Sequence, residues 1–150
     1  MPRRRETYQF VGAELIGGGT RVVVQPVLPI ILWGPDGSTG MGVRAAIVDT
    51  GADNCTCPSK LTKPIGYKLR SGTPIEFQGA AATGKAWQHS MDISIMTHDL
   101  RGTFHRLSGV PCHVVQKRKP FPLLLGRDGF LDEFVVHIDF VNQLFTLEMD

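Results

Sequence analysis

An all-β fold is what this sequence predicts, on three observations. The apolar residues come in short runs, and 17 glycines and 10 prolines recur between them. That punctuation suits many short strands better than long helices. Met91, Ile93 and Ile95 alternate with polar neighbours, the period-2 pattern of a half-buried strand. Finally, 150 residues at 42% hydrophobic and 20% charged content make one domain with room for a real core.

Taken in order, residues 1–20 read as an amino-terminal arm, charged at Arg3-Arg4-Arg5 and ending in Gly17-Gly18-Gly19. No Gly-Lys-Ser/Thr follows these glycines, so they do not make a phosphate-binding loop. The domain occupies residues 21–150. Pro26 to Trp33 reads as an extended segment entering a strand, because proline disfavours helix and restricts its predecessor. Gly34-Pro-Asp-Gly-Ser-Thr-Gly40 is turn chemistry, and a strand from about Val43 to Val48 then delivers Asp49-Thr-Gly-Ala52 at its end. Pro58 to Pro64 leaves room for one or two helical turns. Ile75–Phe77 and Met91–Met96 read as two legs of a hairpin around the small residues Gln78 to Gly84. Further strands are expected near Thr103–Leu107 and Cys112–Val115. A basic turn then leads to Leu123-Leu-Leu125, Gly126-Arg127-Asp128 and a short helix, and Phe134–Ile138 with Leu144–Leu147 forms a closing hairpin.

A net charge of +2 is too small to imply a nucleic-acid partner, and the clusters at Arg3–Arg5 and Lys117–Lys119 read as solvated ends and turns. The basic start continues into polar residues, where an export signal needs an apolar stretch of about 7–15 residues. Val22 to Trp33 holds Gln25, Pro26 and Pro29 and is too short to span a bilayer. Three cysteines, an odd number, argue against a disulfide framework and for a cytoplasmic, reduced protein. The five histidines show no ligand spacing, so neither metal nor cofactor is expected.

Asp49-Thr-Gly carries the chemistry. Alone the triplet is weak, and its residue types are common in surface turns. Its setting strengthens it: an apolar strand before it, Ala52 after it, then a glycine-bounded hairpin and an apolar triplet entering Gly126-Arg127-Asp128. This order resembles the retropepsin-like aspartic proteases, especially bacterial single-domain members. Ala46-Ile-Val-Asp49-Thr-Gly-Ala-Asp53, the Gly79–Gly84 hairpin, Leu123-Leu-Leu-Gly-Arg-Asp128 and the closing strands carry the resemblance, which covers roughly residues 26 to 148.

The resemblance implies a closed acid-protease-like β-barrel acting as a homodimer on a peptide or protein substrate. One Asp-Thr-Gly is half a site, so a second copy must supply the other aspartate. Two carboxylates sharing a site hold one proton between them. One can then activate water while the other protonates the reacting group, with no covalent intermediate. By the same resemblance Thr50 bonds across the two-fold axis, Gly51 offers its N–H to the carboxylate, and Gly79, Ala80, Ala81, Ala82, Thr83 and Gly84 form a flap over the substrate. Asp53 and Arg127 are expected to pair within one chain, partly buried, at a cost of roughly 3–5 kcal/mol if broken. Two unrelated surface charges are the alternative. Ala52 lacks the hydroxyl that would favour the ionised carboxylate, so the dyad is expected to work at about pH 5–6.5.

The leading function is thus an aspartic endopeptidase. A catalytically silent dimeric module that binds peptide or assembles on this fold is the second reading, and an ordinary β-barrel binding domain with a chance motif is the third.

Overall fold

The structure, a computed structural model, describes residues 2–14, 22–79, 82–116 and 121–150. In chain order its strands are β1 (Arg4–Gln9), β2 (Val11–Glu14), β3 (Val22–Gln25), β4 (Val27–Trp33), β5 (Gly40–Val48), β6 (Cys55–Pro58), β7 (Thr73–Gly79), β8 (Ala82–Met96), β9 (Thr103–Val115), β10 (Leu124–Leu125), β11 (Val135–Asp139) and β12 (Leu144–Met149). A single helical turn, α1 (Ser59–Thr62), follows β6.

Six strands close on themselves in the order β4-β5-β10-β6-β9-β8, with β8 returning to pair with β4. The closed, mostly β architecture read from the sequence is borne out. Alternation builds the barrel: Leu28, Ile30 and Leu32 on β4 and Met91, Ile93 and Ile95 on β8 are exposed by no more than 1%, while Pro29, Ile31 and Asp92 between them are only partly buried. Ser94 is the exception, buried where it accepts the Trp33 Nε1–H at 2.8 Å. Closure pairs β4 with both β5 and β8, so the ring of strands has no terminal strand.

The strands expected at Thr103–Leu107 and Cys112–Val115 are one continuous strand, β9. Its pairing with β8 slips between Met91 and Ile93, opposite Leu107 and Val110. At the slip Gly109 adopts a φ of 65°, open to glycine at little cost, and Asp92 accepts its N–H at 3.1 Å. The extra residue is absorbed as a bulge, a register feature that alternation alone does not announce. The helix expected after Asp128 is a single 3-10 turn, Leu131–Glu133.

A second, three-stranded sheet runs β1-β12-β11. The stretch read as an arm therefore contains β1, whose residues pair antiparallel with β12 from Arg4↔Met149 to Gln9↔Leu144. Tyr8, Phe145 and Leu147 join the barrel's apolar cluster from this sheet, and Tyr8 stacks on Phe145 at 5.1 Å. β1 is also tied to the β8–β9 turn: the Tyr8 hydroxyl donates to the Met96 carbonyl at 2.7 Å, and Arg4 donates to the Phe104 carbonyl at 3.2 Å. Glu6 accepts the His98 backbone N–H at 3.0 Å and contacts His98 Nδ1. Lys117–Lys119, Gly17–Gly19, Ala80 and Ala81 lie outside the described residues.

The Glu6 carboxylate raises the His98 pKa above its ordinary 6.5, chiefly through their hydrogen bond. A raised imidazole pKa adds stability that is present below about pH 6.5 and fades as pH climbs through the raised value. Glu6→Gln should therefore lower the melting temperature more at about pH 5.5 than at about pH 8.5. Equal losses in thermal melts at the two pH values would rule out the charged tie.

Candidate active site

Consecutive strands usually lie side by side, but β5 and β6 do not. The two-residue strand β10 sits between them, parallel to β5 (Ile47↔Leu124, Leu125↔Val48) and antiparallel to β6 (Leu124↔Thr56). The link from β5 to β6, residues 49–54, must therefore arch over the end of β10. Backbone bonds clasp the arch to what lies beneath: Asp49 N–H donates to Leu125 O at 3.0 Å, Arg127 N–H to Ala52 O at 3.0 Å, and Asp128 N–H to Asp53 O at 2.8 Å. These pairings satisfy backbone groups that a loop would otherwise leave to water.

Asp49 is half-buried at the root of the arch, and Thr50, Gly51 and Asp53 are exposed. The Asp49 carboxylate accepts the Gly51 N–H on Oδ1 at 3.0 Å. Among the described residues no donor or cation reaches its second oxygen. A carboxylate so placed can take a proton from water, but it cannot at the same moment give one to a carbonyl oxygen. Thr50 is exposed and makes no described side-chain hydrogen bond to Asp49.

Asp53 and Arg127 form an ion pair through Oδ1 and Nη2. Partial burial was expected, yet their side chains are 80% and 58% exposed. Water screens a pair this exposed, and it ranks with surface salt bridges. Nor does Asp128 cap the following turn, which has no side-chain cap. Its carboxylate instead accepts from Asn54 Nδ2 at 3.4 Å, adding a side-chain tie across the same arch.

Sequence reasoning missed three supports. Asn54 is one. Gly126 is the second: a Cβ there would stand 2.4 Å from Asn54 O and 2.5 Å from its carbonyl carbon, so only glycine lets the arch close over β10. Cys55 is the third, accepting the Gly126 N–H on Sγ at 3.4 Å from a fully buried position. A glycine wedged between an apolar triplet and Arg-Asp was the signal available for Gly126; nothing in the sequence marked Asn54 or Cys55.

The hairpin read as a flap is β7 with the start of β8; its second leg is residues 82–88 and not the expected Met91–Met96, which pair with β9 and β4 instead. Its legs stay paired to Phe77↔Gly84, Gln78↔Thr83 and Gly79↔Ala82, while β8 meets β9 only from Ala86 onward. Residues 82–85 therefore extend past the barrel wall, supported by β7. A separate cleft, lined by Tyr8, Pro29, Arg44, His98, Leu100 and Leu144, does not include Asp49. Among the described residues no group of three His, Cys, Asp or Glu could hold a metal ion, and no helix is long and apolar enough to cross a membrane.

Gly126→Ala should cost about 3 kcal/mol or more in chemical denaturation by driving a methyl into Asn54. Gly102→Ala, with nothing within 4 Å of its added Cβ, should change stability by less than about 0.5 kcal/mol. Similar losses at the two sites would show that Gly126 is not sterically required. Asp53→Asn should cost less than about 1 kcal/mol in the dissociated chain; a larger loss at protein concentrations too low for association would place the ion pair in a drier setting.

A family model described as aspartyl protease matches residues 39–128, spanning β5, the Asp49 arch and the Gly126–Asp128 clasp. No curated protein sequence matches the chain. Among solved structures, the fold is similar to the crystal structure of a retropepsin-like aspartic protease from Rickettsia conorii, with a TM-score of 0.60 and 14% identity over 99% of this chain and 93% of that one. On the residues matched and the architecture around them, this chain belongs to the aspartyl protease family and has the retropepsin-like fold.

Proposed function

We propose that the chain is an aspartic endopeptidase whose catalytic pair forms when two identical copies bring their Asp49 carboxylates together. The observation that carries this reading is the arch: one carboxylate, held by Gly51 on Oδ1 and without a described partner on its other oxygen, on a loop clasped rigidly over β10. Preorganised geometry of this kind is what acid–base catalysis requires, because groups must be placed before they react.

In the completed site the two aspartates share one proton, since like charges this close do not both ionise. The apparent pKa values then belong to the pair. The ionised Asp49 takes a proton from water, which attacks the peptide carbonyl carbon. The protonated Asp49 hydrogen-bonds the carbonyl oxygen and a proton passes to the leaving amine. Thr50 would brace the two arches against each other. The β7–β8 hairpin would act as a lid over an extended peptide bound by its backbone in strand fashion.

A catalytically silent, peptide-binding dimer of the same fold is the competing reading. Asp49→Asn separates the two. Cleavage of a mixed peptide library, followed by mass spectrometry, should fall roughly 10²–10⁴-fold in an enzyme. A library left uncut by the wild type but retained equally by both forms would favour the binder. Ala52→Ser adds a hydroxyl beside the carboxylate and should move the pH optimum downward from about pH 5–6.5; an optimum that stays or rises in a pH–rate profile contradicts the assigned role of Ala52.

A further inference from the structure

The strand pairings line up one residue from each of five strands. Ile47 on β5 stands opposite Leu124 on β10, Leu124 opposite Thr56 on β6, Thr56 opposite His113 on β9, and His113 opposite Gln88 on β8. Residues paired in this way share one face of a sheet. Their neighbours along the strands, Val48, Leu125, Cys55 and Cys112, take the other face and lie in the core at 6% exposure or less. The row therefore lines the face turned away from that core. Asp49, two positions beyond Ile47, continues on the side of the row.

The chemistry of the row changes along its length. Ile47 and Leu124, at the Asp49 end, are apolar and half-buried. Thr56, His113 and Gln88 are polar, and among the described residues none of the three makes a side-chain hydrogen bond. Thr56 is only 6% exposed, where a polar group normally has a partner. His113 lies near enough to the clasp to feel the Asp128 charge, and Asp128 holds the arch through Asp53 O. Burial outweighs that charge and lowers the His113 pKa from its ordinary 6.5, so the ring favours its neutral form. A hydroxyl, a neutral imidazole and an amide each offer both a donor and an acceptor.

From this row we infer that the chain selects an uncharged amide side chain, asparagine or glutamine, close to the bond it cuts, and holds it with Thr56 and His113. Gln88 closes the outer end. The inference rests on the endopeptidase reading above and names the substrate class which that reading leaves open. A carboxylate fits less well, because it brings only acceptors and meets the Asp128 charge beside His113. Lysine or arginine brings only donors, while every polar group of the row also has a donor to place. An aliphatic side chain would cover the hydroxyl and the imidazole without satisfying them, which costs more than a missing contact. Neighbouring strands lie about 4.8 Å apart, so His113 is about 10 Å from Leu124 along the row. An extended peptide covers that distance in about three residues.

The test is cleavage by the full chain at about pH 6.5. A mixed peptide library read by mass spectrometry should show asparagine or glutamine enriched at one position within about three residues of the cut. Matched peptides with glutamine or leucine at that position should then differ in kcat/KM by roughly 10-fold or more. His113→Leu and Thr56→Val should each bring that ratio to within about threefold of one, chiefly through KM. His113→Gln, which keeps a donor and an acceptor, should retain more of the preference. A purely structural role would lower both peptides together and leave the ratio where it was. Thr56→Val nearly preserves the side chain's shape and decides the matter if His113→Leu does not fold. A wild type that cuts peptides without an amide preference, or a ratio unmoved by these variants, overturns the assignment and leaves the endopeptidase standing. A wild type that cuts no peptide and retains the library no differently from Asp49→Asn overturns both.

Discussion

The placement of β10 between β5 and β6 governs the rest of the site. A two-residue strand from late in the chain separates two strands that are neighbours in sequence, and this forces the loop joining them to span it. Everything about the arch follows from that geometry. Its carbonyls are spent on the N–H groups of Arg127 and Asp128, its root is tied to Leu125, and Gly126 must lack a side chain because Asn54 lies on top of it. Asp49 gains a fixed position without being buried. A carboxylate on an ordinary surface turn would have comparable solvent access but no such constraint, and catalysis depends on the constraint.

Much of the barrel was legible because its signals are local. Alternation on β8, proline-led entry into β4 and the turn chemistry from Gly34 to Gly40 each act within a few residues, and each segment folds as its pattern suggests. Long-range facts were less legible. Nothing near Cys55 announces that it lies beneath Gly126, and nothing near Arg4 announces that it pairs opposite Met149. The bulge at Gly109 joins two expected strands into one, because a register slip depends on the partner strand and leaves little trace in the bulged one.

The Asp53–Arg127 pair teaches a related lesson. The family resemblance identified the partners, but burial decides what a salt bridge contributes, and burial belongs to an assembly as much as to a chain. Exposed as it is here, the pair orients a loop and adds little stability. Covered by a second copy, the same atoms would lose most of their solvent, and each charge would then depend on the other. The arch is thus tied down through its backbone and exposed at its charged side chains.

The lateness of β10 in the chain has a consequence for biosynthesis. Because the clasp under Asp49 comes from residues 125–128, a ribosome must deliver residues 50–124 after the aspartate before the arch has anything to rest on. Partly made chains carry the aspartate but not its support, and pairing between segments so distant is slow to form. The support of the Asp49 arch is thereby postponed to a late stage of folding.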